Sequence, residues 1–202
     1  MLDENNTFYA VFATASQPNG GGSTTVTDEL DRGLTGISGT TYNTWSDKTS
    51  NSLAVYAGQS AGGNESIQLR SSNSNSGIIT TTSGGKAKKV TVEWNSSTAS
   101  GRTLNVYGKN TAYSAATDLY DNSKQGTLLG TIVYGTSTQL TISGDYAYIG
   151  MRSASGAMYL ASISIEWETT TSGGTTTTYS DYTTSCTTET AITLNPNGGS
   201  FD

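Results

Sequence analysis

The chain contains no histidine and a single cysteine, and these two shortages remove much familiar catalytic chemistry. Without an imidazole, Ser-His-Asp and Cys-His arrangements cannot form within the chain, and zinc sites lose their usual nitrogen ligand. Cys186 has no partner for an internal disulfide, so no disulfide framework is expected. Charge is also scarce. Only 13% of residues are charged, and 10 basic against 16 acidic residues leave a net charge of −6. No basic stripe of the kind that neutralises a phosphate backbone is present, so nucleic acid is not an expected partner. No run of about 18 apolar residues occurs, which argues against direct membrane insertion. Residues 1–6, M-L-D-E-N-N, lack the basic start and apolar core of a signal peptide; if the protein is exported, its signal is expected upstream of Met1.

What is abundant points to strands and turns. Ser and Thr make up roughly a third of the chain, and there are 24 glycines, a bias that favours extended backbone and tight turns. Two segments lack alternation altogether. Residues 17–25, Q-P-N-G-G-G-S-T-T, and residues 169–186, T-T-T-S-G-G-T-T-T-T-Y-S-D-Y-T-T-S-C, read as linkers. The block between them, 26–168, is close to the commonest domain size. A fold of that size buries about two-thirds of its unfolded surface, enough for a core without metal or disulfides.

Inside that block apolar residues recur with period two. Val90, Val92 and Trp94 alternate with Thr91 and Glu93, and Ile163, Ile165 and Trp167 alternate with Ser162, Ser164 and Glu166. Such runs bury one face of a strand, so both tryptophans are expected in a core. Further runs lie at 53–57, 66–71, 78–82, 104–107, 128–133, 139–142 and 146–151. Short strands between turns rich in Gly, Asn and Ser predict an all-β, antiparallel β-sandwich. Residues 27–32, T-D-E-L-D-R, predict a single helical turn, capped by Thr27 or Asp28 and ended by Gly33.

Residues 6–13, N-T-F-Y-A-V-F-A, resemble the closing strand of a Listeria–Bacteroides repeat, also called the internalin B-type repeat. Residues 191–202, A-I-T-L-N-P-N-G-G-S-F-D, resemble its opening strand and Asn-Gly-Gly turn. The chain then divides into the tail of one repeat (1–16), a linker (17–25), a central domain (26–168), a Thr-rich linker (169–186) and the start of the next repeat (187–202). On this resemblance it is a slice of a longer surface protein. Within the central domain, V-Y-G-K-N-T-A-Y (106–113), G-T-L-L-G-T-I (126–132), D-Y-A-Y-I-G-M-R-S (145–153) and G-A-M-Y-L-A-S-I-S-I-E-W (156–167) are similar to a module of multidomain surface and secreted proteins of Bacteroidetes. Its second half resembles the galactose-binding-like jelly roll of discoidin-type domains. The resemblance implies a jelly roll, a secreted or cell-surface location, and a glycan or a host or cell-surface protein as partner. Jelly rolls of this kind often hold a structural calcium, which the resemblance leaves open.

The candidate chemistry is thin. S-G-G-K at 83–86 falls short of a phosphate loop, because Thr80 stands where glycine is needed and Ala87 where Ser or Thr is needed. If the strands bearing Glu93 and Glu166 are neighbours in register, their carboxyls approach the ~5 Å separation of a retaining glycosidase. The alternative is a salt-linked outer sheet face that Arg70 and Arg152 share, since each follows the same apolar spacing in I-Q-L-R-S and I-G-M-R-S. Short acidic clusters at Asp28, Glu29 and Asp31, and at Asp118 and Asp121, do not match a calcium loop. Trp45, Tyr113 and Tyr120 fall in segments read as loops, where aromatic faces either stack on sugar rings or plug the end of a sandwich. The expected function is a non-catalytic adhesion or glycan-binding module, with no catalytic residue, no metal site and no cofactor. Trp45, Tyr113, Tyr120, Arg70 and Arg152 are the candidate ligand contacts. The alternatives are a carbohydrate-active enzyme, or the accessory module of one, and a structural spacer.

Overall fold

A computed structural model of the chain describes residues 22–170. The segments resembling repeat strands, most of the first linker and nearly all of the second lie outside these residues, as does Cys186. In chain order the strands are β1 (Ser23–Asp31), β2 (Gly39–Lys48), β3 (Val55–Gly62), β4 (Ile67–Leu69), β5 (Gly77–Thr82), β6 (Lys86–Trp94), β7 (Thr103–Lys109), β8 (Thr127–Val133), β9 (Gln139–Thr141), β10 (Tyr148–Ser153) and β11 (Met158–Thr170). One helical turn, α1 (Arg32–Thr35), follows β1.

The expected all-β antiparallel sandwich is what these strands build. One sheet runs β9, β6, β11, and then β1 and β4 share the far edge of β11: Ser162 to Thr170 face β1, and Met158 to Leu160 face β4. The other runs β8, β7, β10, β5, β3, β2. The two join at one corner, where Ala61 of β3 stands opposite Gln68 of β4.

Between the sheets, alternation delivers one apolar face from each. Val90, Val92, Ile163, Ile165 and Trp167 meet Tyr56, Ile78, Leu104, Val106, Ile149 and Met151 in a single buried cluster. A register shift between Leu160 and Ser162 lets Leu160 and Ile163 both face inward, since an extra residue in one strand resets the phase. Trp167 is fully buried as expected. Trp94 keeps the same phase but is only half-buried, because β9 covers β6 only from Lys89 to Thr91 and leaves the strand end open.

A second, smaller apolar cluster lies on the outer face of the second sheet. Ile79, Tyr107, Tyr113 and Leu119 form it, with Tyr113 and Leu119 supplied by the connection between β7 and β8. That connection contains the 3-10 turn Ala116–Tyr120. Gly77 and Gly150 make room for it: a Cβ at either position would overlap the Leu119 side chain. The loop is therefore a lid packed on the sheet.

Three expectations need correction. The predicted turn at 27–32 is strand up to Asp31. The cap is Asp31, whose Oδ1 accepts from the Leu34 N–H at 2.7 Å, and the turn ends at Gly36 with φ of 72°. Val26, Asp28 and Leu30 form the inward side of β1, and the charge in the middle of that row disguises the alternation. The segment around Trp45, read as a loop, belongs to strand β2, built from Thr, Tyr and Trp, which favour extended backbone. The sandwich also reaches into both predicted linkers. Ser23 pairs with Thr170 and Thr24 with Thr169, whose hydroxyls lie 2.8 Å apart, so hydroxyl-rich chain that reads as spacer continues the ladder here.

Candidate functional site

Asp28 explains why a carboxylate sits inside β1. It is fully buried, and it accepts from the backbone N–H of Asn51 (2.7 Å) and Ser52 (2.6 Å), from the Ser52 hydroxyl and from the Tyr56 hydroxyl (2.6 Å). The Trp167 indole N–H donates to Tyr56 Oη at 2.9 Å. Burial and the Asp28 carboxylate push the Tyr56 phenol far up, so it stays a donor. With Asp28, Tyr56 and Trp167 all fully buried, this network ties β1, the β2–β3 connection, β3 and β11 together.

The predicted ligand contacts separate into two groups. Trp45 is 5% exposed, sits on β2 and donates to Ser60 Oγ at 3.0 Å. Tyr113 is 2% exposed and donates to Gln125 O at 2.7 Å, and its phenol is raised by burial. Neither is a loop aromatic open to a sugar. Trp45 edges a cleft of about 180 Å³ beside residues 114–117, and Tyr113 is part of the lid. Tyr120, Arg70 and Arg152 do come together. The Arg152 guanidinium lies 4.7 Å from the Tyr120 ring centre and 5.6 Å from that of Tyr107, and Arg70 lies 3.8 Å over Tyr42. The Tyr120 hydroxyl points at Ser76 O (2.8 Å) and at the Arg70 backbone O (3.2 Å), which fixes its ring beside Arg152 and next to the Arg70 backbone.

The arginines do not share a face with Glu93 and Glu166, which sit on the first sheet. The two glutamates are on neighbouring strands but out of register. Glu93 faces Ser162 and Glu166 faces Lys89, a displacement of four residues, or about 13 Å at the rise of a strand. The ~5 Å approach therefore does not form. Glu166 instead pairs with Lys89 at 2.5 Å and Glu168 with Lys88 at 3.4 Å, a partly exposed ladder whose attraction solvent screens.

Glu93 belongs to a different feature, which the sequence did not single out. The outer face of the first sheet and residues 134–139 enclose an open groove of about 1000 Å³. Register brings its floor together: Glu29 stands opposite Ser164, Ser164 opposite Thr91, and Ser162 opposite Glu93. One wall is aromatic. Trp94 and Tyr134 pack edge to face with centroids 5.5 Å apart, and the Trp94 indole N–H donates to Ser137 O at 3.1 Å, which fixes its ring. The Ser162 hydroxyl donates to Glu93 at 3.3 Å, and neither Glu29 nor Glu93 has an ion pair among the described residues. Tyr134 was missed because it follows β8 in a turn, V-Y-G-T-S-T, with no alternation to flag it. Glu29 was missed because β1 itself was.

Hydrogen bonds occupy both carboxylates of the second acidic cluster, as they do Asp28 and Asp31 of the first. Asp118 Oδ2 accepts from the Ser114 N–H and hydroxyl, both at 2.8 Å, and Asp121 Oδ1 accepts from the Ser123 N–H and hydroxyl. Burial pushes the Asp118 carboxyl up, but those donors outweigh it and hold it below the usual carboxylate range. Among the described residues, no three acidic or cysteine side chains converge on a point where an ion could sit. No family model, no curated protein and no solved structure matches this chain. Function is therefore argued from the sites themselves.

Proposed function

We propose that this domain is a non-catalytic glycan-binding module of a multidomain bacterial surface protein, with the groove on the first sheet as its binding site. The observation that supports it most is the combination of an aromatic wall with carboxylates that have no cationic partner among the described residues. Sugar rings stack their C–H faces on Trp and Tyr, and sugar hydroxyls donate to carboxylates and exchange hydrogen bonds with Ser and Thr. Trp94 and Tyr134 offer the first, Glu29 and Glu93 the second, and Thr91, Ser162 and Ser164 the third. The hydroxyl-rich composition and the repeat-like ends support the surface location.

A non-catalytic role is favoured because the chain has no histidine and the separation of Glu93 from Glu166 fits neither carboxylate geometry of glycoside hydrolysis, ~5 Å or ~6.5–9.5 Å. The test is a glycan array probed with the full chain. Tyr134→Ala is expected to lower binding to the best neutral glycan at least about tenfold with the melting temperature nearly kept, and Glu166→Gln, outside the groove, is expected to leave it unchanged. A blank array for the unaltered protein would sink the proposal in favour of a spacer, and hydrolysis of a bound oligosaccharide would sink the non-catalytic part.

A further inference from the structure

On the outer face of the second sheet, away from the groove, arginine and tyrosine alternate in a row. Tyr42 on β2 carries the Arg70 guanidinium at 3.8 Å; Tyr120 of the lid follows; Arg152 on β10 lies between Tyr120 at 4.7 Å and Tyr107 on β7 at 5.6 Å. Arg152 takes this face because Ile149 and Met151, its alternating neighbours, face the core. Tyr107 is oriented by the Asn105 side chain, whose amide donates to its hydroxyl at 3.0 Å.

The row lacks what normally accompanies paired arginines. Acids outnumber bases 16 to 10 in the chain, yet among the described residues neither Arg70 nor Arg152 has a carboxylate within ion-pair distance. Their Nε atoms are buried and have no hydrogen-bond partner among the described residues. Their hydrogen bonds are long: 3.3 Å from Arg70 Nη2 to Asn75 Oδ1, and 3.4 Å from Arg152 Nη1 to Ser153 O. Burial pushes the Tyr42 phenol up to about 12 against the pull of Arg70, and burial raises Tyr120 against Arg152 and Arg70, so both rings stay neutral beside two uncompensated cations. A guanidinium stacked on a phenol ring is fixed in plane and presents its N–H edge, a fork that matches carboxylate and sulfate oxygens.

We infer that the row formed by Arg70, Tyr120 and Arg152 is a second binding site, specific for the carboxylate or sulfate group of an acidic sugar unit. The anion follows from the unpaired guanidinium edges; the sugar as its carrier rests on the glycan reading above. The two sites divide the work by charge, since the groove presents carboxylates and disfavours acidic units while the row attracts them.

The test uses the full chain, titrated with an oligogalacturonate, a sulfated galacto-oligosaccharide and a neutral galacto-oligosaccharide of the same length. At least one acidic oligomer is expected to bind, to weaken as salt rises, and to lose about tenfold or more in affinity with the double variant R70Q/R152Q. Tyr134→Ala, in the groove, is expected to leave that binding intact. R70K/R152K keeps the charge and the fold but offers no fork, so a comparable loss with an unchanged melting temperature supports the site if the Gln variant is unstable. Acidic oligomers binding no better than the neutral one, full binding by R70Q/R152Q, or inorganic sulfate binding as tightly as the sulfated oligomer would each overturn the inference. If Tyr134→Ala leaves neutral binding unchanged while acidic binding still depends on the arginines, the groove assignment fails and the second site stands.

Discussion

Tyr56 donates its hydroxyl proton to Oδ2 of Asp28 at 2.6 Å, and both side chains are fully buried. Removing the hydroxyl takes one of four donors from a buried carboxylate and the acceptor from the Trp167 indole. Tyr56→Phe is expected to cost about 1–3 kcal/mol, the range for stranding a buried polar group. Asp28→Ala should cost more, because it leaves the Asn51 and Ser52 N–H groups, the Ser52 hydroxyl and the Tyr56 hydroxyl without their acceptor. Urea denaturation of the two variants checks the order; an Asp28→Ala protein as stable as the parent would show that the network is not holding the strands.

The two tryptophans, equivalent in the sequence, are expected to respond differently. Trp167 is enclosed between the sheets, so Trp167→Ala should cost about 3–5 kcal/mol through the cavity it leaves. Trp94 is half-buried at a strand end and lines the groove, so Trp94→Ala should cost clearly less in stability and more in glycan binding. Thermal melting and array binding on the same two variants separate the cases. Equal destabilisation would place Trp94 in the core after all.

The sequence makes the sandwich legible wherever one strand face is purely apolar. Val90 with Val92, and Ile163 with Ile165, mark β6 and β11 because nothing polar interrupts the inward row. It conceals β1, where Asp28 occupies an inward position and is accommodated only by donors more than twenty residues away. β2 is concealed for a different reason: it is an edge strand whose pairing shifts register between Gly39 and Asn43 and again between Trp45 and Lys48, so it carries no long alternating run. The sites follow the same pattern. Arg70 and Arg152 are flagged by their matching spacing, but their partners, Tyr42 and Tyr107, come from other strands and are set by pairing that no local pattern encodes. The groove needs three strands and a turn to exist, so Glu93 alone suggested a carboxylate without its surroundings.

Acid should destabilise the protein partly through Asp118. Its folded-state pKa is depressed by the Ser114 and Ala115 donors, so its stabilising contribution is complete above the ordinary value of 3.8 and is lost as pH falls through the lower folded value. Asp118→Asn should therefore lie below the parent in stability at neutral pH, with the difference shrinking below about pH 4. Melting temperatures measured from neutral pH down to strong acid test this, and a gap that widens on acidification would reverse the sign of the argument.

Gly150 links the lid to the arginine row. A Cβ at this position would overlap Leu119 Cδ2 and stand 3.0 Å from Tyr113 Cζ, so the lid cannot keep its seat on the sheet. Overpacking of this kind costs about 1–3 kcal/mol, and Gly150→Ala should lower the melting temperature accordingly. Gly22→Ala, where a Cβ meets nothing within 4 Å, serves as the neutral control. Leu119 and Tyr120 are adjacent on one 3-10 turn, so lifting the first moves the second away from the Arg152 guanidinium and the Arg70 backbone. Gly150→Ala is therefore expected to weaken acidic oligosaccharide binding without touching either arginine, while neutral glycan binding in the groove persists. Loss of stability with acidic binding fully kept would show that the lid and the arginine row are independent.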